Sequence, residues 1–347
     1  MNIKSLLIGS AAALAAVSGA QAADAIVAAE PEPLEYVRVC DAFGTGFFYI
    51  PGTETCLKFG GYVRFQTDFN RGNGSSAGTA AGGTSDWDSF TRAQFEVDTR
   101  TDTELGALRG FIGFRGNADN GSSSSSSVFV DQAFIELGGL KVGKFYSWWD
   151  DDLNGETDIL STNTLFNSIK YTYDAGSFQA AISVDELEGQ YGQFQYGGDN
   201  NVGLGGMIGG KFGAVTANLI ASYDFDAENV AIRGILFADI GPGTFGLAGV
   251  WASGDNAYYA KSEWAVAVEY AVKATDRLTI TPGFEYLGKL DVAADGDFVG
   301  DRDAWTAGLT VDYKITEGLT TKVTANYYDE DGADDQVTGF VRLQRSF

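Results

Sequence analysis

From Leu57 onward apolar and polar residues alternate one by one. Odd positions read Leu57, Phe59, Gly61, Val63 and Phe65, and even positions Lys58, Gly60, Tyr62, Arg64, Gln66 and Asp68. Successive side chains of a strand point to opposite faces, so the pattern predicts a strand with one apolar and one charged face. The alternation returns in Ala93, Phe95, Val97 against Arg92, Gln94, Glu96, Asp98, and in Leu108, Ile112, Phe114 against Arg109 and Arg115. Late in the chain, Trp305, Ala307, Leu309, Val311, Tyr313 and Ile315 oppose Thr306, Gly308, Thr310, Asp312 and Lys314. Leu319, Thr321, Val323, Ala325 and Tyr327 likewise oppose Thr320, Lys322, Thr324 and Asn326.

Read along its whole length, the pattern predicts strands near 56–69, 89–101, 107–117, 128–138, 140–147, 167–174, 177–185 and 201–212. It continues with 214–224, 229–239, 244–253, 262–273, 277–288, 304–315, 319–328 and 336–347. That is about sixteen, each near the roughly 9 to 11 residues of a tilted membrane strand. The links alternate between long and short, as in an outer-membrane barrel. Long polar links run Asn70 to Asp88, Ala118 to Ser127, Trp148 to Phe166, Glu186 to Asn200 and Lys289 to Asp303. Short turns carry glycine at Gly138–Gly139, Asp174 to Gly176, Gly241 to Gly243 and Glu317–Gly318, as tight turns favour.

Periodicity alone does not decide which face is inside. Size does: a small soluble barrel fills with side chains, whereas so many strands enclose a wide lumen suited to water. The apolar face is then expected to look outward into lipid. Trp305 and Tyr313 share that outward parity, and eight residues at about 3.3 Å each span roughly 20 Å after tilting, enough to flank an apolar band. Trp264, Tyr270, Phe284, Tyr286 and Tyr327 have the same parity.

The amino terminus changes the picture. Lys4, the apolar stretch Leu6 to Val17 and the small-residue pattern Ala20, Gln21, Ala22 form a secretory signal, too short to span a bilayer. Cleavage after Ala22 divides the chain into a signal peptide over 1–22, a periplasmic extension and cysteine-bounded segment over 23–55, and a transmembrane barrel over 56–347. The mature chain has 347 less 22, or 325, residues, and losing Lys4 takes the net charge from −24 to −25. Such acidity argues against nucleic acid as a partner, while 13% aromatic content is too apolar for a disordered polyelectrolyte. There is no histidine, which removes the commonest general base and zinc ligand. Cys40 and Cys56, in an exported chain, pair more naturally as a disulfide than as metal ligands. No cofactor is called for.

The segment Val39, Cys40, Asp41, Ala42, Phe43, Gly44, then Gly46 to Cys56 (Gly46, Phe47, Phe48, Tyr49, Ile50, Pro51, Gly52, Thr53, Glu54, Thr55, Cys56) resembles the amino-terminal signature of alphaproteobacterial, Rhizobiales-type outer-membrane porins. Gly60, Gly61, Tyr62, Val63, Arg64 and the ending Gly339 to Phe347 look like the same family. The resemblance implies an all-β, antiparallel transmembrane barrel of sixteen strands, a homotrimer, and a third long loop folded into the pore. That loop would be Trp148 to Phe166, after Gly143, Lys144, Phe145, Tyr146 and Ser147. The carboxy-terminal Phe347 resembles the signal read by outer-membrane assembly machinery.

The functional reading is an outer-membrane porin passing small hydrophilic solutes and ions, with weak cation preference. No catalytic constellation is visible, so an enzyme is not expected. The acidic side of the constriction is assigned to Asp150, Asp151, Asp152, Glu156 and Asp158, and the basic side to Arg64, Arg92, Arg109, Lys141 and Arg342. Opposed charges would set a transverse field across the narrowest water. Two alternatives stand beside it. A substrate-specific channel would want a run of lumenal aromatics, for which Tyr62, Phe111 and Phe134 are inward but scattered. A structural or adhesive barrel would be plugged. Calcium at Asp150 to Asp152, or at Asp329, Glu330, Asp331, Asp334 and Asp335, is a rival reading of the acidic loops, as is their bridging to lipopolysaccharide.

Overall fold

The structure, a computed structural model, describes residues 37–71, 87–119, 128–196 and 199–347. The expected signal peptide over 1–22 and the expected extension from Ala23 to Leu34 lie outside the described residues, as do most of the first two long links. Sixteen antiparallel strands follow one another around a barrel: β1 Cys56–Arg71, β2 Trp87–Thr101, β3 Leu108–Asp119, β4 Phe129–Leu137, β5 Leu140–Tyr146, β6 Leu165–Asp174, β7 Phe178–Glu186 and β8 Val202–Phe212. The second half is β9 Val215–Asp224, β10 Asn229–Ile240, β11 Gly243–Ala252, β12 Trp264–Thr275, β13 Leu278–Gly288, β14 Ala304–Thr316, β15 Leu319–Glu330 and β16 Gln336–Ser346.

The barrel closes where β16 pairs with β1, from Val337 opposite Arg71 to Ser346 opposite Tyr62. Phe347 then exchanges backbone hydrogen bonds with Gly61 at 3.1 and 3.3 Å. Closure removes both sheet edges, and each unpaired backbone group in lipid would cost several kcal/mol. The tight turns lie at one end of the barrel; Gly138 (φ 58°) and Gly318 (φ 68°) adopt there the left-handed backbone that glycine accepts without penalty.

Burial inverts the order of a soluble protein. Outward Phe65 and Ile169 are 51% and 57% exposed, whereas inward Arg233 and Glu285 are 1% and 0% exposed. Apolar surface on that scale belongs in lipid. Outward aromatics gather near the rims: Trp264 stacks on Tyr286, Phe284 on Trp305, and Trp305 leans on Tyr327 near the long-loop end. Tyr171, Tyr173 and Tyr313 lie outward near the turn end, forming the two belts expected at membrane interfaces.

Two features depart from the expected loop pattern. The links 225–228 and 331–335 are short although they belong to the long-loop end. Conversely 253–263, absent from the predicted long links, dives into the barrel: Asp255, Asn256, Ala257, Tyr258 and Tyr259 are all 0% exposed. Tyr258 donates to Asp185 at 2.9 Å, and Asp224 accepts from the Ala257 N–H at 3.0 Å. This loop and the β5–β6 link build an apolar core inside the barrel, with Trp149, Leu153, Leu160, Phe166 and Leu287 at its centre.

At the turn end of β1, Cys40 and Cys56 are bonded, with Cα atoms 6.0 Å apart. Phe47 is buried with them, and Phe48–Tyr49 pairs with Leu57 and Cys56. Phe47 also lies 5.1 Å from the guanidinium of inward Arg100, so this segment covers the lumenal side of the first two strands at the barrel's mouth.

Candidate functional site: the constriction

The link between β5 and β6 crosses the lumen. It leaves β5 in a 3-10 turn over Trp148–Asp150, where Ser147 accepts from the Trp149 N–H and the Trp149 indole donates to Ser222 at 2.9 Å. Arg233 of β10, buried beneath, donates to the carbonyls of Trp148 at 2.6 Å and Trp149 at 3.1 Å, its guanidinium 5.2 Å from the Trp149 ring. Further along, Glu269 of β12 accepts three bonds of 2.7 Å, from the Asn154 N–H, the Asn154 amide and the Gly155 N–H. Glu285 of β13 accepts the Ile159 N–H at 3.0 Å. At the far wall the Glu156 N–H donates to Thr310, and its carboxylate pairs with Lys322 of β15 at 2.7 Å and lies 3.8 Å from Arg342 of β16. The loop returns through Thr162, whose N–H donates to Tyr258 C=O, and closes with Ser147 N–H donating to Thr164 C=O at 2.7 Å.

A loop has orphan backbone donors wherever it lacks a strand partner, and buried orphans are costly. Here the inner wall supplies acceptors at the required places. Arg233, Glu269 and Glu285 are not among the predicted site residues, yet each is an ionisable residue on the inward parity away from either end of its strand. That combination is the signal that could have found them.

The predicted acidic residues come together along this loop. Asp150 accepts from Thr164 at 3.0 Å, and burial raises both Asp150 and Asp151 above the ordinary carboxylate range. Burial, then the adjoining carboxyl of Asp152, pushes Asp158 up to about 10. Its buried Oδ2 faces no donor, so a proton held between Asp158 and Asp152 relieves the contact and leaves Asp158 uncharged at neutral pH. Glu156 is spent in its ion pairs. The exposed negative edge is therefore Asp150, Asp151 and Asp152.

Three predicted arginines gather on neighbouring strands: Arg64 and Arg92 are register partners, and Arg342 stands opposite Gln66. Arg64 Nε donates to Gln344 at 2.8 Å, Arg92 Nε to Asn117 at 2.9 Å and Arg342 Nε to Gln66 at 2.6 Å. Each lies on the aromatic ring two residues before it: Tyr62 at 4.9 Å, Phe90 at 5.3 Å and Phe340 at 4.2 Å. An amide on the neighbouring strand and a ring on the same strand thus fix each guanidinium, contacts that do not themselves neutralise it, although Arg342 also lies 3.8 Å from Glu156. Arg64 and Arg92 form no ion pair among the described residues. Arg115, which the sequence pattern placed inward, joins the group but is paired with Asp131 at 2.8 Å.

Arg109 and Lys141 are not brought to this level. Arg109 is the second residue of β3 and Lys141 the second of β5, so both sit toward the short-turn mouth. Arg109 is paired there with Asp98 at 3.0 Å and Glu136 at 3.3 Å. The inward aromatics are not scattered either: Phe111 stacks on Phe134 at 5.0 Å and Phe134 meets Phe145 edge-on at 6.0 Å. Among the described residues no cluster suited to a metal ion is found.

The family model described as "Porin subfamily" matches residues 24–343. The chain is 53% identical to a putative outer membrane protein, y4fJ, of Sinorhizobium fredii over all of this chain and 99% of the relative. It is 50% identical to outer membrane protein IIIA of Rhizobium leguminosarum, covering 98% of this chain and 93% of that one, and 34% identical to porin Omp2b of Brucella suis over the full length of both. Among solved structures, the outer membrane channel DcaP of Acinetobacter baumannii superposes with a TM-score of 0.64 at 14% identity, over 86% of this chain and 99% of that one. A trimer form of OmpT of Vibrio cholerae gives 0.61 at 16%, over 85% and 100%.

Proposed function

The chain belongs to this porin subfamily of the bacterial outer membrane, and from that premise we propose that it conducts small hydrophilic solutes and ions passively, with weak cation preference, and catalyses no reaction. What supports the selectivity is the loop from Ser147 to Thr164, tied to the inner wall and leaving Asp150, Asp151 and Asp152 exposed, together with Arg64 and Arg92 on the wall of β1 and β2, which form no ion pair among the described residues. Rings of carboxylates favour cations, and a net charge of −24 biases the entrances the same way. The free arginines keep the preference weak. Arg109 and Lys141 act in the mouth below rather than in the constriction.

Replacing Asp150, Asp151 and Asp152 together with asparagine tests this. The expected result is a fall in the cation-to-anion permeability ratio, read as reversal potential across a salt gradient, and a rise when Arg64 and Arg92 become glutamine. Unchanged ratios in well-folded channels would overturn the assignment.

Homotrimeric assembly is part of the same proposal. Outward tyrosines or tryptophans recur on β6, β9 and β11 to β15, whereas the described outward faces of β16 and β1 to β5 carry only Trp87 and include a Thr67–Ser89 hydroxyl bond of 2.7 Å. A wall with so sparse an interfacial belt, bearing paired hydroxyls, suits a second protomer better than lipid. The signal peptide over 1–22, recognition of Phe347 by the assembly machinery, and bridging of the acidic outer loops to lipopolysaccharide complete the reading.

A further inference from the structure

Beneath the constriction loop the inner wall of β6 to β9 is hollow. A recess of about 370 Å3 runs from Trp148 and Asp151, at the base of the loop, down to the turn at Gly176 and Ser177. This lies at the low end of the roughly 300 to 1,000 Å3 of small-molecule sites. Inward position 209 in its lining is glycine, and a Cβ there would press on Asn218 Cβ at 3.3 Å and Met207 Sδ at 3.4 Å.

Its lining has a definite chemistry. Lys170 and Lys211 bring two ammonium groups, and neither forms an ion pair among the described residues. Lys170 is held by the rings of Phe145 and Trp148, at 5.0 and 5.1 Å, a contact that positions a cation and leaves its charge in place. Asn218, on the floor, has a buried Oδ1 that no donor reaches; a buried acceptor left unpaired costs about 1 to 3 kcal/mol. Gln179 adds an amide. Asp151 on the rim supplies the opposing charge. A row of cations leads to the recess from the short-turn mouth. Arg109 lies 5.2 Å from the Phe134 ring, Lys141 sits 3.8 Å from Phe134 and 4.5 Å from Phe145, and Lys170 follows.

We propose that this recess is a resting site for a small hydroxylated organic anion, of the sugar-acid class, in transit through the pore. The anionic group answers the two unpaired ammoniums, and a hydroxyl donor answers Asn218 Oδ1. A neutral sugar is a poorer match, because the rings along the path are buried, Phe145 at 1% exposure, and offer no free stacking platform. The inference rests on the open-channel reading.

Purified protein in a planar bilayer tests it, with gluconate as probe and sorbitol as the control that keeps the hydroxyls and lacks the carboxylate. Gluconate is expected to produce resolvable current interruptions that sorbitol does not. Lys170→Gln and Lys211→Gln should each shorten their dwell time roughly tenfold, equivalent to about 1.4 kcal/mol. Asp151→Asn, which removes the opposing charge, should lengthen it. Interruptions no different from those of sorbitol, or dwell times unmoved by either lysine change, would overturn the proposal. Open-channel steps of the unaltered protein in potassium chloride alone report separately on the pore, so a failed site and a failed channel reading are told apart.

Discussion

Glu269 is the strongest single tie between the constriction loop and the wall, and its removal has a calculable effect. Its carboxylate, 4% exposed, accepts three hydrogen bonds of 2.7 Å from Asn154 and Gly155. Hydrogen bonds to a charged group contribute about 1.5 to 3 kcal/mol each. A detached loop tip meets lumenal water, which favours the lower figure, so Glu269→Ala should cost the docked tip about 4.5 kcal/mol. At about 1.4 kcal/mol per decade, the ratio of docked to detached tip falls roughly a thousandfold. The base of the loop stays in place, because Arg233 still holds Trp148 and Trp149 and Glu285 still holds Ile159. The tip should therefore fluctuate rather than leave. Single-channel recording should show a larger mean conductance and a sharp rise in open-state noise, with Glu269→Gln intermediate because its amide keeps one acceptor oxygen. A Glu269→Ala channel with wild-type conductance and noise, and a barrel of normal heat-modifiable mobility, would refute the pinning of the loop by this carboxylate.

Three further outcomes are expected. The Cys40–Cys56 bond closes a segment with a sequence separation of 16, worth about 3 kcal/mol in the chain-entropy model. Natively purified protein should resist alkylation until reduced, and finding both thiols modified without reduction would contradict the bond. Asp158, with its folded value near 10 against an ordinary carboxyl near ~4, holds a proton in the docked loop that the free loop releases. The stabilisation it gives is complete below the ordinary value and is lost as pH rises toward the folded one. Channel noise should grow from neutral pH to pH ~10 in the wild type and stay flat in Asp158→Asn; identical profiles would count against the shared proton. Native mass measurement in mild detergent should give a trimer, weakened by charged substitutions at outward Thr67 and Ser89; a monomer throughout would refute the proposed assembly.

Much of the molecule is legible in its sequence because strand pleating is local. A period of two, set by backbone geometry, assigned residues such as Arg64, Arg92 and Glu96 to the inner face and Phe65, Phe95 and Trp305 to the outer one. Each strand end lies within two residues of its predicted position, and the turn glycines mark the short links for the equally local reason that a left-handed backbone excludes most side chains. The pairing of Cys40 with Cys56 followed from two cysteines in an exported chain. Height along the pore was not legible in the same way, since parity says which face a residue takes and nothing of its depth. Hence Arg109 and Lys141 went to the constriction when the register sets them near the mouth. The paths of the inward loops were equally hidden. Glu156 meets Lys322 across 166 residues, and Gly155 meets Glu269 across 114. No local pattern encodes contacts of that range. The closed barrel alone brings those strands opposite the loop, and with them the carboxylates that satisfy its backbone and turn a wide lumen into a constriction.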